Sequence, residues 1–154
     1  MKITERIVIE APPERVWSWL ADPALWARWN PKVKRVNRRR TGAMVAAEVF
    51  EADFALSDTA TTGQVEVKIC EPFERLALQH SVDVRGRVRS LGVEFSLTGE
   101  GAETRLLQTT DFSDVGLPWP VKLLVRIINR FGRTVGRSHL EELKLLAEAQ
   151  REAA

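Results

Sequence analysis

Apolar residues in the opening stretch "KITERIVIE" fall at every second place. Ile3, Ile7 and Ile9 share one side, with Glu5 between them. That period of two, with β-branched residues, predicts a strand. "APP" ends it. "PPERVWSWLAD" then changes period, placing Val16, Trp17 and Leu20 on one side of a short helix. Pro13 suits its first turn, where a missing N–H costs nothing. "DPALWARW" predicts a second short helix, capped by Asp22, started by Pro23 and closed by Asn30-Pro31.

From Lys32 to Ser113 the period returns to two. "KVKRVNRR" and "GAMVAAEVFE" predict two strands, and "FALSDTATTG" is the hardest part to assign. "QVEVKIC" puts Val65, Val67 and Ile69 on one face. "RLALQHSVDV" does the same for Leu76, Leu78, His80, Val82 and Val84. "RVRSLGVEFSLTG" follows with Leu91, Val93, Phe95 and Leu97, and "TRLLQTTDF" with Leu106, Gln108, Thr110 and Phe112. "EPFE" and "EGAE" are turns between them. Short turns between successive strands imply an antiparallel meander. After "GLPWP" the period becomes 3.6. Val121, Leu124, Val125, Ile128, Phe131, Val135, Leu143 and Leu146 trace one face of a long helix. It is expected to run from about Pro118 to near Arg151.

The order is therefore one strand, two short helices, about six more strands and one long helix. A seven-stranded sheet with one apolar face needs cover on that face. One helix is about 10 Å wide, roughly a third of the width of seven strands spaced about 4.8 Å apart. The mismatch implies a cavity between a curved sheet and the helix, so the fold is expected to hold a ligand.

Composition narrows this little. The chain has 154 residues, 44% hydrophobic and 29% charged, with a formal net charge of +2. That is ordinary for one globular domain spanning residues 1–154. The charge is too mild to indicate nucleic acid, and no nucleic-acid partner is expected. Cys70 is the only cysteine; it excludes an internal disulfide and reads as a buried, inert thiol. Charges within the first apolar run argue against a signal peptide, and no apolar stretch reaches the ~20 residues of a membrane span. A cytoplasmic location is the expectation.

Ala11-Pro12, Val16-Trp17, Leu20, Asp22-Pro23, Trp26, Trp29 and Pro31 together carry a resemblance. The segment "IVIEAPPERVWSWLADPALWARWNPKVKRV" resembles the opening of the START-like, or Bet v 1-like, superfamily. It is most similar to the bacterial SRPBCC proteins grouped as polyketide cyclase/dehydrase and lipid transport. "HLEELKLLAE" is similar to the end of that family's long helix. The resemblance implies an α+β helix-grip fold: a curved seven-stranded antiparallel sheet around a long C-terminal helix, with two short helices between strands 1 and 2. It also implies that Trp26 and Trp29 pack the short helices against the sheet at the mouth of the cavity. It does not choose among lipid carriers, cyclases, receptors, chaperone cofactors and quinone-binding proteins.

Two basic features stand out. Lys32, Lys34, Arg38 and Arg40 on one side of a strand, with Arg35 and Arg39 on the other, suit a guarded edge strand. Lys122, Arg126, Arg130, Arg133 and Arg137 fall in one sector of the long helix, with Trp119 at its entrance. A solvated outer face explains this stripe. Transient contact with an anionic membrane, or with a protein partner, is the functional alternative.

Candidate chemistry is sparse. There are two histidines and no tyrosine. His80 lies between Leu78 and Val82 and points inward; His139 lies near the apolar arc of the long helix. Both are weak candidates for acid–base catalysis. The expected ligand lining joins Trp29, Leu78 and His80 with Leu91, Val93 and Phe95, and with Gln108, Thr110 and Phe112. Ile128, Gly132, Val135, Gly136 and His139 complete it from the helix. Gly132 and Gly136, one turn apart, suit either a close approach to the sheet or a bend. Asp111 is expected to point outward. Glu48 reads as a solvated strand residue, and Arg85, Arg87 and Arg89 as a solvated turn. No nucleophile–base–orienter set, metal set or phosphate loop appears, and no cofactor is expected.

The first reading is therefore binding, and carriage, of an apolar or lipid-like small molecule in the cavity. A polyketide cyclase- or dehydratase-type enzyme using the same cavity is one alternative, and the motif content leans against it. A protein-interaction module using the basic helix face is the other.

Overall fold

The computed structural model describes residues 2–55, 60–112, 120 and 139–153. Strand β1 (Lys2–Ile9) is followed by helix α1 (Pro13–Ala21), a 3-10 turn (Pro23–Leu25) and helix α2 (Trp26–Trp29). Six strands succeed them: β2 (Val33–Asn37), β3 (Val49–Ala55), β4 (Ala60–Glu71), β5 (Arg75–Val84), β6 (Arg87–Glu100) and β7 (Glu103–Asp111). Helix α3 (His139–Ala153) ends the described chain. The expected helix between 118 and 138 lies outside the described residues, apart from residue 120.

The seven strands form one curved antiparallel sheet in the order β1-β7-β6-β5-β4-β3-β2. β2 to β7 are a meander, and β1 closes onto β7 from the far end of the sequence. The helices cover one face of this helix-grip fold. On that inner face Leu76, Leu78, Phe95, Leu97 and Leu106 are buried. Their registers agree with the alternation in the sequence: Leu76 opposes Phe95, Leu78 opposes Val93, and Leu97 opposes Leu106.

α1 begins at Pro13 as its sequence requires, with Arg15 N and Val16 N donating to Pro12 O. Asp22 caps the 3-10 turn, accepting from Ala24 N at 3.1 Å. The C-terminal carbonyls of α1 find three donors. Trp29 Nε1 donates to Trp19 O (3.1 Å), Trp26 Nε1 to Leu20 O (2.8 Å) and Met44 N to Ala21 O (2.8 Å). Trp26 and Trp29 are both buried, so neither contributes to an exposed aromatic–basic surface.

α3 packs on β1, α1 and α2, burying Leu140, Leu143 and Ala147. Lys144 Nζ donates to Val8 O (3.0 Å) and pairs with Glu148, whose Oε1 also accepts from Glu10 N (2.8 Å). The helix is thereby tied to the free side of β1.

Three expectations need correction. "GAMVAAEVFE" is not one strand, because β3 starts only at Val49. Ala47 takes a left-handed φ of 68°, Glu48 N turns back to Val45 O, and Met44 is drawn under α1. "QVEVKIC" does not keep one face. A bulge between Val67 and Ile69 turns Ile69 toward Ala77 and brings Cys70 opposite Leu76. An inserted residue reverses the alternation beyond it. Cys70 is half-buried rather than buried; its Sγ donates to Met44 O, and burial raises its pKa.

The third correction concerns the basic run. β2 is an edge strand, with Lys34 and Arg35 exposed at a bulge. The strand ends before Arg38, which is no part of a solvated patch. Its guanidinium pairs with Glu48 at 2.8 and 3.0 Å, donates to Gly42 O and Ala43 O, and lies over the Phe50 ring. Glu48 is correspondingly withdrawn from solvent. Its pKa is lowered chiefly by the Arg38 hydrogen bond.

At Gly99 the start of α1 comes so near the sheet that a Cβ would overlap Pro13 Cγ. Gly99→Ala is expected to cost about 1–3 kcal/mol, because proline ring carbons cannot swing away. Urea unfolding of Gly99→Ala, Pro13→Ala and the double variant checks this. The double variant should recover most of the loss, since alanine at 13 lacks Cγ.

Candidate functional site

The inner face divides into two parts. Around Leu76, Leu78, Phe95, Leu97 and Leu106 it is packed shut. Toward the β5–β6 hairpin the inward residues remain half-buried: Ile3, His80, Val82, Leu91, Val93 and Thr110. Apolar side chains on a covered face normally lose their accessible surface. Here they keep part of it, which makes this the more open part of the inner face among the described residues.

His80 sits in that open part, opposite Val65 on β4 and Leu91 on β6. Phe54 meets its ring edge-on at 5.3 Å, and Trp26 lies at 6.4 Å. Among the described residues the imidazole has no hydrogen-bond partner. Desolvation by the surrounding apolar groups lowers its pKa to about 4, so at neutral pH it offers one donor and one acceptor and no charge.

A second polar group forms at the start of α3. His139 Nε2 and Gln108 Oε1 are 2.6 Å apart, and Gln108 Nε2 donates to Thr110 Oγ1 at 3.3 Å. With the amide so turned, His139 is the Nε2–H tautomer and its Nδ1 carries the lone pair. Its ring stacks on Trp29 (6.2 Å, 29°), which meets Phe95 edge-on. Burial lowers the His139 pKa, Glu5 raises it and Lys32 lowers it. Glu5, half-buried, faces Gln108 across the β1–β7 register.

Of the residues expected from sequence, Trp29, Phe95, Gln108, Thr110 and His139 come together in this group. His80, Leu91 and Val93 line the open part, whereas Leu78 and Phe95 belong to the packed part. Phe112 follows the last residue of β7 and is half-buried. Asp111 opposes Lys2 and Gly92 in register, on the outer face with Gln79. Ile128, Gly132, Val135 and Gly136 lie outside the described residues. So do Trp119, Lys122, Arg126, Arg130, Arg133 and Arg137.

Glu5, Phe54 and Trp26 escaped the sequence reading as site residues. Glu5 had a signal: it is the one ionisable residue among the inward positions of β1. Phe54 had none, because it opens the stretch whose register could not be read. Two hollows lie away from the inner face. One, of about 310 Å³, is on the outer face beside Lys2, Gln79, Gly92 and Asp111; the other, of about 510 Å³, lies by Arg28, Pro31 and Glu142. Both are partly polar and open, unlike a seat for an apolar molecule. Among the described residues no His, Cys, Asp and Glu set converges as metal ligands, and no helix is long and apolar enough to cross a membrane.

A curved antiparallel sheet, an intervening pair of short helices and a C-terminal helix over a partly open inner face define the Bet v 1-like class. Within it, the chain belongs to the family described as polyketide cyclase / dehydrase and lipid transport, which matches residues 1–148. No curated protein matches the chain. Among solved structures it is similar to protein CV1439 from Chromobacterium violaceum, at 18% identity over 96% of both chains with a TM-score of 0.69. It is also similar to DynU16, a protein of the dynemicin biosynthetic locus, at 20% identity over 97% of this chain and 48% of that one, TM-score 0.64. Ara h 8.0201 shares 10% identity over 97% and 98% of the two chains, TM-score 0.66. At these identities the likeness shows the fold.

The desolvated, neutral His80 has a consequence for stability. The folded protein keeps it uncharged down to about pH 4, while an unfolded chain protonates it near 6.5. Its effect is absent above pH ~6.5, destabilises progressively as pH falls toward 4, and is constant below that. Urea unfolding of wild type and His80→Gln between pH 7 and 4 should show wild type losing on the order of 3 kcal/mol more than the variant.

Proposed function

We propose that the protein binds an apolar or lipid-like small molecule on the open part of its inner face, between the sheet and the C-terminal helix, and carries it. The observation that carries this reading is the set of half-buried apolar residues around His80. Val82, Leu91 and Val93 keep accessible surface on a face that elsewhere buries Leu76, Leu78, Phe95, Leu97 and Leu106. An apolar ligand covering them gains about 25 cal/mol per Å² removed from water. His80, uncharged and without a hydrogen-bond partner among the described residues, supplies one polar contact without the desolvation cost of an ion. Membership of a family described by lipid transport supports the reading.

A second reading is a cyclase- or dehydratase-type reaction in the same space. It is favoured by the His139–Gln108 hydrogen bond, which orients an imidazole as acid–base chemistry requires. The family description, and the locus of the similar DynU16, agree with it. The two readings separate on His139→Ala: a carrier keeps its ligand and has no turnover to lose, whereas an enzyme keeps binding and loses turnover.

Native mass spectrometry of freshly purified protein, with extraction of whatever is released, tests the binding. A reproducible bound mass supports it. A clean apo mass, with no uptake from a panel of lipids and quinones, overturns it. Leu91→Trp, which fills the open part from a half-buried position, is expected to fold and to weaken uptake at least about tenfold. Phe95→Ala, in the packed part, is expected to cost about 3–5 kcal/mol of stability. Undiminished uptake by folded Leu91→Trp would place the ligand elsewhere.

A further inference from the structure

The β5–β6 hairpin extends beyond its neighbours. Pairing between β4 and β5 begins at Gln64↔Ser81, and pairing between β6 and β7 ends at Gly92↔Asp111. β5 and β6 continue together to Val84↔Arg87. The tip is Arg85-Gly86, both in the left-handed region (φ 54° and 79°), which matches a two-residue hairpin turn of the primed type. Gly86 N donates to Asp83 Oδ1 at 2.8 Å, so the acidic group of the arm is occupied within its own turn.

Arg85, Arg87 and Arg89 crowd this arm, and they differ in direction. The register puts Arg89 opposite Val82, and His80 opposite Leu91. Residues two apart on a strand share a face. Arg87 and Arg89 therefore continue, on the inner face, the row Leu91–Val93–Phe95. Val88, opposite Asp83, faces outward and is 68% exposed. Arg87 is exposed, but Arg89 is half-buried. Among the described residues none of the three guanidinium groups has an ion pair or a hydrogen bond. Arg38, also withdrawn from solvent, has two carboxylate contacts and two carbonyls.

A half-buried guanidinium normally has an anion beside it, because its partial desolvation is otherwise uncompensated. Among the described residues Arg89 has none, and it borders the open apolar surface next to a histidine that is neutral at physiological pH. We infer that the ligand is an anionic amphiphile, its apolar body on Val82, Leu91 and Val93 and its carboxylate or phosphate held by Arg89 with Arg87. This rests on the binding reading above and names the chemical class of its ligand. Guanidinium suits such a group because its fork of donors matches two anionic oxygens.

The test compares pyrene-labelled dodecanoic acid with its methyl ester, on wild type, Arg89→Gln and Arg87→Gln/Arg89→Gln, by fluorescence titration. The acid should bind wild type at least about tenfold tighter than the ester. Arg89→Gln should remove most of that preference and leave ester affinity unchanged, and added salt should weaken only the acid. Equal binding of acid and ester, unaffected by Arg89→Gln, overturns the anion inference and leaves the cavity reading standing. Binding of neither probe by wild type overturns both. A third arm uses phosphatidylglycerol vesicles. If Arg89→Gln releases protein from vesicles while acid affinity in solution is unchanged, the arginines serve a lipid surface and the inference fails.

Discussion

Two indole N–H groups and one backbone amide hold the end of α1. A helix leaves its last carbonyls without internal partners, and here Trp29, Trp26 and Met44 supply donors to Trp19, Leu20 and Ala21 in turn. These bonds fix α2 in place as well as terminating α1. They set the rings of Trp26 and Trp29 at the angles from which one reaches Phe50 and His80, and the other Phe95 and His139. Both polar groups on the inner face thus take an aromatic wall from a single four-residue helix. Met44 adds the β2–β3 connection to the same anchor, and the Arg38–Glu48 pair holds that connection in shape.

With the short helices so placed, the inner face divides in two. The described helices pack on the surface around Leu76 and Leu97, and the residues around His80 and Leu91 are half-buried. The two histidines then have different surroundings. His139 is held by Gln108 within the field of Glu5; His80 is held by nothing polar among the described residues. One is oriented, the other is merely neutral, and they suit different work.

Much of this was legible in the residues. Alternation alone placed Leu78, His80, Val93, Gln108 and Thr110 on one face, and the register confirms that face for each. The turns at Gly86 and Gly101 and the proline start of α1 follow from local chemistry. What failed to show was long-range. The bulge before Ile69 has no local marker in "VKIC", and it inverted Cys70. Arg38 looked like one base among many because its partner, Glu48, is ten residues away across a loop. Glu5 sat in plain view, yet its neighbours His139 and Gln108 come from the other end of the chain. Apolar period reports which face a residue takes; it is silent about who meets it there.

The tie between α3 and β1 bears on how the chain reaches this state. Thr4 contacts Thr109, 105 residues away, and Glu10 contacts Glu148, 138 residues away. β1 therefore finds its partners long after it is made. At roughly 5–20 residues per second of synthesis, "ITERIVI" waits several seconds or more for β7 and longer for α3, with an apolar side and an unpaired edge. Contacts of such separation also slow folding once the chain is released. Closure of this fold is a late, non-local event, and until it happens the nascent domain is most vulnerable along β1.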